Sequence, residues 1–155
     1  VYLSLNRSDD TVLLWLSEAV VESIRHAGDS LEPHAATVDF VVVDDPYIRK
    51  INREFRNLDE PTDVISFSYL DVAHTAAHGE DDVVGEIYVS YQTIEKEAKR
   101  LGVDPGSMFL RVGVHGLLHV VGFDHENDED AALMEREEKS ILSGVLAPAE
   151  LEALF

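Results

Sequence analysis

The stretch Val114–Glu126 reads V-H-G-L-L-H-V-V-G-F-D-H-E, and it decides how the rest of the chain is arranged. His115 and His119 are four apart, so on a helix both rings leave the same face, with Cβ atoms about 5–6 Å apart. That separation lets two ring nitrogens reach one zinc ion at about 2.0–2.1 Å. Gly122 is a natural helix stop, and beyond it His125 can swing back as a third ligand. Three neutral nitrogens leave one tetrahedral position for water, which distinguishes a catalytic zinc from a structural one. The competing reading is that these are ordinary core histidines. Spacings of four and six, with a helix-ending glycine between the last two, favour the metal.

Working outward, Met108, Phe109, Leu110, Val112, Val114, Leu117, Leu118, Val120 and Val121 make the helix from Pro105 to about Gly122 apolar on nearly all sides. Such a helix is expected at the centre of the core. Ligands fixed on it need little reordering, and zinc there would bring the pKa of its water down to about 7. Upstream, Val1–Asn6 reads as a strand. Asp9 or Asp10 is expected to cap a helix reaching about Ala27, with Leu13, Leu16, Val20 and Ile24 as its buried stripe. The β-branched run Val38–Val43 suits a central strand. A helix follows from about Pro46 to Arg56, with proline in its first turn.

Residues 57–63 read as a polar loop, and Val64–Tyr69 alternates as a strand with Ile65, Phe67 and Tyr69 on one face. Residues 70–82 read as a mobile acidic loop, and Val83–Val89 as a further strand. Ser90 is expected to cap a helix to about Leu101, and a last helix is expected from about Asp128 to Leu146. Two strands follow one another with no helix between them. The expected fold is therefore α+β, a small mixed sheet of about four strands packed with helices, rather than a doubly wound one. At 155 residues, the chain fits a single catalytic domain spanning 1–155.

Composition sets limits. The chain has 45% hydrophobic residues and 5 prolines, which argues for a folded globular protein. It has no cysteine, which excludes disulfides and thiolate metal sites and suits a reducing cytoplasm. No signal peptide is read in the first residues, and no apolar run approaches the roughly 20 residues that cross a bilayer, so no membrane partner is expected. Thirty-one acids against 12 bases leave a formal charge of −19. A field of that sign repels nucleic acid at long range. Either the acids form a solvated surface away from the working face, or the substrate is a peptide or small molecule.

The histidine spacing matches that of metzincin proteases, H-E-x-x-H-x-x-G-x-x-H. There the glutamate is the general base, whereas this chain has Gly116, which has no group to accept a proton. The pattern that fits throughout is His115, Gly116, His119, Gly122, Asp124, His125, which resembles the H-G-x-x-H-x-x-G-x-D-H signature of YbeY-type endoribonucleases. A second block, Ile51, Asn52, Phe55, Arg56, Asp59, Pro61, Thr62, Asp63, Val64, Ile65, Ser66 and Phe67, is similar to that family's L-N-x-x-[FY]-R-x-x-D-x-P-T-D-V-[LI]-S-F, with isoleucine for the leading leucine. A third, Gly85, Glu86, Ile87, Val89 and Ser90, meets G-[DE]-I-x-[IV]-[SC]. The three blocks lie in order, and the resemblance covers nearly the whole chain.

The resemblance implies a mixed sheet with a zincin-like metal helix. It implies metal-dependent cleavage of single-stranded RNA, in maturation of the 3′ end of small-subunit (16S) ribosomal RNA and in ribosome quality control. The implied partners are single-stranded rRNA and the small ribosomal subunit or its assembly factors, not DNA. His115, His119 and His125 carry over as ligands of one Zn2+ per chain, with His115 also catalytic, and Arg56 as a substrate-binding or catalytic residue.

From the chemistry, Arg56 can clamp phosphate through its fixed fork of donors. Arg49, Lys50, Arg53 and Arg56 share one helix face, a local basic stripe to which Arg53 adds a weaker substrate contact, although a solvated face remains the competing reading for Arg49 and Lys50. Asp124 either orients a ligand histidine or caps the turn, with orientation preferred. Glu86 and Asp63 are weak candidates for a general base. His74 and His78 are also four apart, in the acidic loop. His26 and His34 carry no signal. Two other functions stay open: a metallohydrolase of peptide or amide bonds, and a non-enzymatic ribosome-assembly factor whose metal is structural.

Overall fold

β-Branched and apolar residues set the sheet. In the computed structural model, which describes residues 1–70 and 82–155, strands β1 (Tyr2–Arg7), β2 (Thr37–Val43), β3 (Val64–Ser68) and β4 (Val83–Ser90) form one sheet in the order β1-β2-β4-β3. β1 and β4 flank β2 in parallel, and β3 pairs antiparallel with β4. Among the described residues six helices accompany the sheet: α1 (Glu18–Asp29), α2 (Asp45–Arg56), α3 (Tyr91–Leu101), α4 (Pro105–Val120), α5 (Asp128–Leu142) and α6 (Pro148–Leu154). This is the mixed α+β architecture expected from the sequence.

The two faces of the sheet are unequal, because side chains alternate along each strand. Val38, Phe40, Val42, Ile87 and Val89 point into the large core, where they meet α4 and the other helices. On the opposite face Val43, Ile48 and Ile65, with Val41, Ile51, Phe67 and Tyr88, form a smaller cluster beneath α2. α4 is the central helix: Phe109, Val114, Leu117, Leu118 and Val120 are fully buried. It approaches the sheet closely at Gly116, where a Cβ would lie 3.0 Å from Ile87 Cγ2, 3.0 Å from Ser66 Oγ and 3.2 Å from Val64 Cγ2.

Two helix boundaries differ from expectation. Asp9 does not cap a helix. Its carboxylate accepts from Thr11 N–H at 2.9 Å and closes a local turn. α1 begins at Glu18, capped by the Ser17 side chain, which accepts from Val20 N–H. Leu13 and Leu16 still reach the core from irregular backbone, while Leu14 between them is 90% exposed. At the other end the last long helix stops at Leu142 rather than Leu146. Leu146 N–H returns to Leu142 O at 2.8 Å, and Pro148 opens α6, with its fixed φ suited to a first helical turn.

Candidate metal centre

α4 ends in a turn that builds the site. Gly122 takes φ 110°, a value that disfavours any side chain. Phe123 N–H then reaches Leu118 O at 2.9 Å, and Gly122 N–H reaches His119 O at 3.2 Å, the paired bonds of a Schellman stop. The chain thus doubles back over its own last turn. His125 arrives beside the two helical histidines, with ring centroids 5.7 Å from His115 and 5.0 Å from His119. One ring nitrogen from each of the three lies within 4.8 Å of the others.

The ring orientations are fixed from behind. His119 Nδ1–H donates to Phe123 O at 3.1 Å, so its Nε2 carries the lone pair. His115 Nδ1 lies 2.5 Å from Glu138 Oε1 on α5, a carboxylate 5% exposed. A buried carboxylate there draws the proton to Nδ1 and leaves the His115 Nε2 lone pair free as well. The two Nε2 atoms face each other at 3.1 Å. Two lone pairs at that distance repel unless a cation lies between or beside them, and ligand nitrogens about 2.0–2.1 Å from one ion sit about this far apart. The donor set therefore fits a divalent metal. The pKa of His119 is lowered by burial first, then by His115 and His125, which keeps its imidazole neutral as ligation requires.

The histidines form one wall of a cleft of about 780 Å³. Arg56 and Phe55 from the end of α2 line it, with Asp63, Ser66 and Phe67, and so do Arg100, Arg111, Asp124 and Glu138. Arg56 has no ion-pair partner among the described residues. The rest of the basic stripe is otherwise engaged. Arg49 grips Asp59 through two bonds of 2.9 and 3.1 Å, and Arg53 lies 3.8 Å from the same carboxylate, away from the cleft lining. Both thereby tie the 57–63 loop to α2, as does Asn52 Nδ2–H donating to Glu60 O at 2.8 Å.

The other expected residues are distributed unevenly. Asp124 Oδ1 accepts from His125 backbone N–H at 2.7 Å, the turn-capping geometry. The carboxylate against one of the three histidine rings is Glu138. Asp63 lines the cleft, with Oδ1 accepting from Val64 N–H at 2.8 Å. Glu86 lies outside the cleft lining and accepts from the Tyr69 and Tyr88 hydroxyls at 2.9 and 3.4 Å. His74 and His78 lie outside the described residues. The sequence reading missed Glu138, Arg100 and Arg111. Arg100 is held by Glu97 at 2.7 Å. Arg111, one turn before His115, donates to Leu154 O and stacks 4.3 Å over the Phe155 ring.

A cluster of imidazoles on the wall of an open cleft is the arrangement of hydrolytic metal sites, not of closed structural ones. Comparison with known proteins narrows that class. The profile of the family described as Endoribonuclease YbeY matches residues 6–145. A relative from Pelotomaculum thermopropionicum, named Endoribonuclease YbeY, is 34% identical over 134 residues, covering 86% of each chain. A relative of the same name from Carboxydothermus hydrogenoformans is 34% identical over 140 residues, covering 88% of each. A solution structure of a Thermotoga maritima protein superposes with a TM-score of 0.64 at 27% identity, over 92% of this chain and 88% of that one. The chain belongs to the YbeY endoribonuclease family.

Proposed function

We propose that this chain is a zinc-dependent endoribonuclease that cuts single-stranded RNA. In this reading it acts in the cytoplasm on the 3′ end of small-subunit (16S) ribosomal RNA and in ribosome quality control, with the small subunit or its assembly factors as partners. The observation that carries the enzymatic part is the convergence of three imidazoles on the wall of an open cleft that also holds an arginine without a carboxylate partner among the described residues. His115, His119 and His125 would hold one divalent ion, which supplies positive charge beside the phosphoryl oxygens and acidifies water.

The chain's own residues do the positioning. Arg56 offers two parallel N–H donors to a phosphodiester and fixes it across the cleft. Glu138 and the Phe123 carbonyl hold the imidazoles in one tautomer. Arg49 and Arg53 act at one remove, by fixing the loop that follows Arg56. Local cations offset part of the −19 charge: Arg56, Arg100 and Arg111 share the cleft lining with Asp63, Glu97, Asp124 and Glu138, and the bound ion would add positive charge where RNA meets them.

The test is cleavage of single-stranded RNA by the wild type, His115→Ala and Arg56→Ala, with metal content measured alongside. Metal-dependent cutting is expected, abolished with metal binding in the first variant and weakened with metal retained in the second. A wild type that binds about one ion per chain, leaves RNA intact and turns over peptides would replace this reading with that of an amide hydrolase.

A further inference from the structure

Phe55 stands immediately before Arg56 in the last turn of α2, is 66% exposed and lines the same cleft as the three histidines. A phenylalanine so exposed contributes little to the core; its environment instead holds the ring in place. The Phe67 ring of β3 meets it at a centroid distance of 5.1 Å and an interplanar angle of 70°. Phe67 is itself anchored in the cluster beneath α2 and meets Tyr88 at 6.1 Å. The contact with Phe67 covers one part of the ring and the rest of Phe55 is exposed at the cleft. The Asn57 cap in the left-handed region, with its N–H on Asn52 O, and the Arg49–Asp59 bonds fix the end of the helix that presents it.

An exposed aromatic ring, buttressed by Phe67 and next to a cation that has no carboxylate partner among the described residues, has a physical counterpart among the substrates of an endoribonuclease: an unpaired nucleobase joined to its own phosphate. Bases of any identity stack on such a ring, while the neighbouring arginine takes the backbone. We infer that Phe55 is the stacking platform for one unpaired base flanking the scissile phosphate, so that Phe55 and Arg56 read a single nucleotide as a ring and phosphate pair. The inference rests on the endoribonuclease reading and adds a physical source for single-strand selectivity. A base held in a duplex stack cannot lie on Phe55 without first being unpaired.

The test uses the metal-loaded protein and single-stranded oligoribonucleotides in which one nucleotide at a time is made abasic. Phe55→Leu keeps the bulk and apolarity of the side chain and removes the ring, and Phe55→Tyr restores the ring. Binding is read as fluorescence anisotropy before turnover, and cleavage as KM and kcat. Phe55→Leu should weaken single-strand binding by about 5- to 150-fold, the range that stacking on one aromatic supplies. The loss should appear in KM, with metal content unchanged and Phe55→Tyr close to wild type. One abasic position should erase the difference between Phe55→Leu and wild type, and duplex binding should be unaffected. Equal behaviour of Phe55→Leu and wild type, or a deficit that is the same at every abasic position, would overturn the inference while leaving wild-type cleavage intact. A wild type that does not bind RNA would overturn the endoribonuclease reading as well.

Discussion

Glu138→Gln is the substitution that most sharply tests how the metal centre is held. The side chain keeps its shape, so the packing of α5 against α4 around Met134 and Leu142 should survive. What changes is the partner of His115 Nδ1. In the wild type a carboxylate 2.5 Å away and 5% exposed accepts that proton. A charge-assisted bond of this kind is roughly twice as strong as a neutral one, and it raises the basicity of the opposite nitrogen. A glutamine carbonyl still accepts, which preserves the tautomer, but without the charge. Loss of such a carboxylate partner typically costs about 10- to 100-fold in metal affinity, or about 1.4–2.8 kcal/mol. The assay is competition for zinc against a chromophoric chelator, with thermal unfolding of the metal-free protein as a control. The metal-free variant should unfold at or near the wild-type temperature, and the stabilisation conferred by zinc should shrink. Wild-type zinc affinity in Glu138→Gln would refute the argument that this carboxylate tunes His115.

Three further outcomes follow from the same coordinates. At Gly85 an added Cβ would lie 2.5 Å from Val120 Cγ1 and 2.7 Å from the Phe67 carbonyl oxygen. Backbone cannot yield as a side-chain tip does, so Gly85→Ala should destabilise by about 2–3 kcal/mol, a fall of about 4–12 °C in Tm; an unchanged Tm would contradict the packing described. Because His119 has its pKa lowered below the ordinary 6.5, the metal-free folded protein binds fewer protons than the unfolded chain once the pH falls below that value. Stability should therefore drop as pH falls from about 6.5 toward the folded pKa and be insensitive to this group above it, and His119→Gln should show a smaller Tm loss between neutral and mildly acidic pH. Finally, the cleft offers at most Arg56, Arg100 and Arg111 to phosphates, so the salt slope for single-stranded RNA should be no steeper than about −2, at about −0.7 per contact; a much steeper slope would place the RNA on another surface.

What the sequence made legible was local. The 4-and-6 histidine spacing across Gly122, the β-branched run at Val38–Val43 and the alternating run at Val64–Tyr69 each encode their structure in contiguous residues, and the mixed sheet and the convergence of the three rings follow from them. What it hid depends on residues distant in the chain. Glu138 sits among Glu135, Glu137 and other acids of an amphipathic helix; its place four residues from both Met134 and Leu142 puts it on the buried stripe, but which residue it meets there depends on the packing of α5 against α4. Gly116 was legible only for the base it cannot supply. Its positive reason is the close approach of α4 to Ile87, Ser66 and Val64. Arg53 and Arg56 look alike on a helical wheel, and only the return of Asp59 to α2 separates an arginine engaged by a carboxylate from one facing the cleft. The late start of α1 came from a competition that periodicity does not register, in which Asp9 closes a turn at Thr11 and leaves the cap to Ser17.

The most direct measurement is X-ray absorption at the zinc edge on the metal-loaded protein, together with metal stoichiometry in the wild type and in single alanine variants of His115, His119 and His125. About one ion per chain should be found, with three imidazole nitrogens at about 2.0–2.1 Å and a water oxygen completing the shell, and each variant should lose most of the metal. An ion that survives all three substitutions, or a wild type that takes up no stoichiometric metal at neutral pH, would contradict the account.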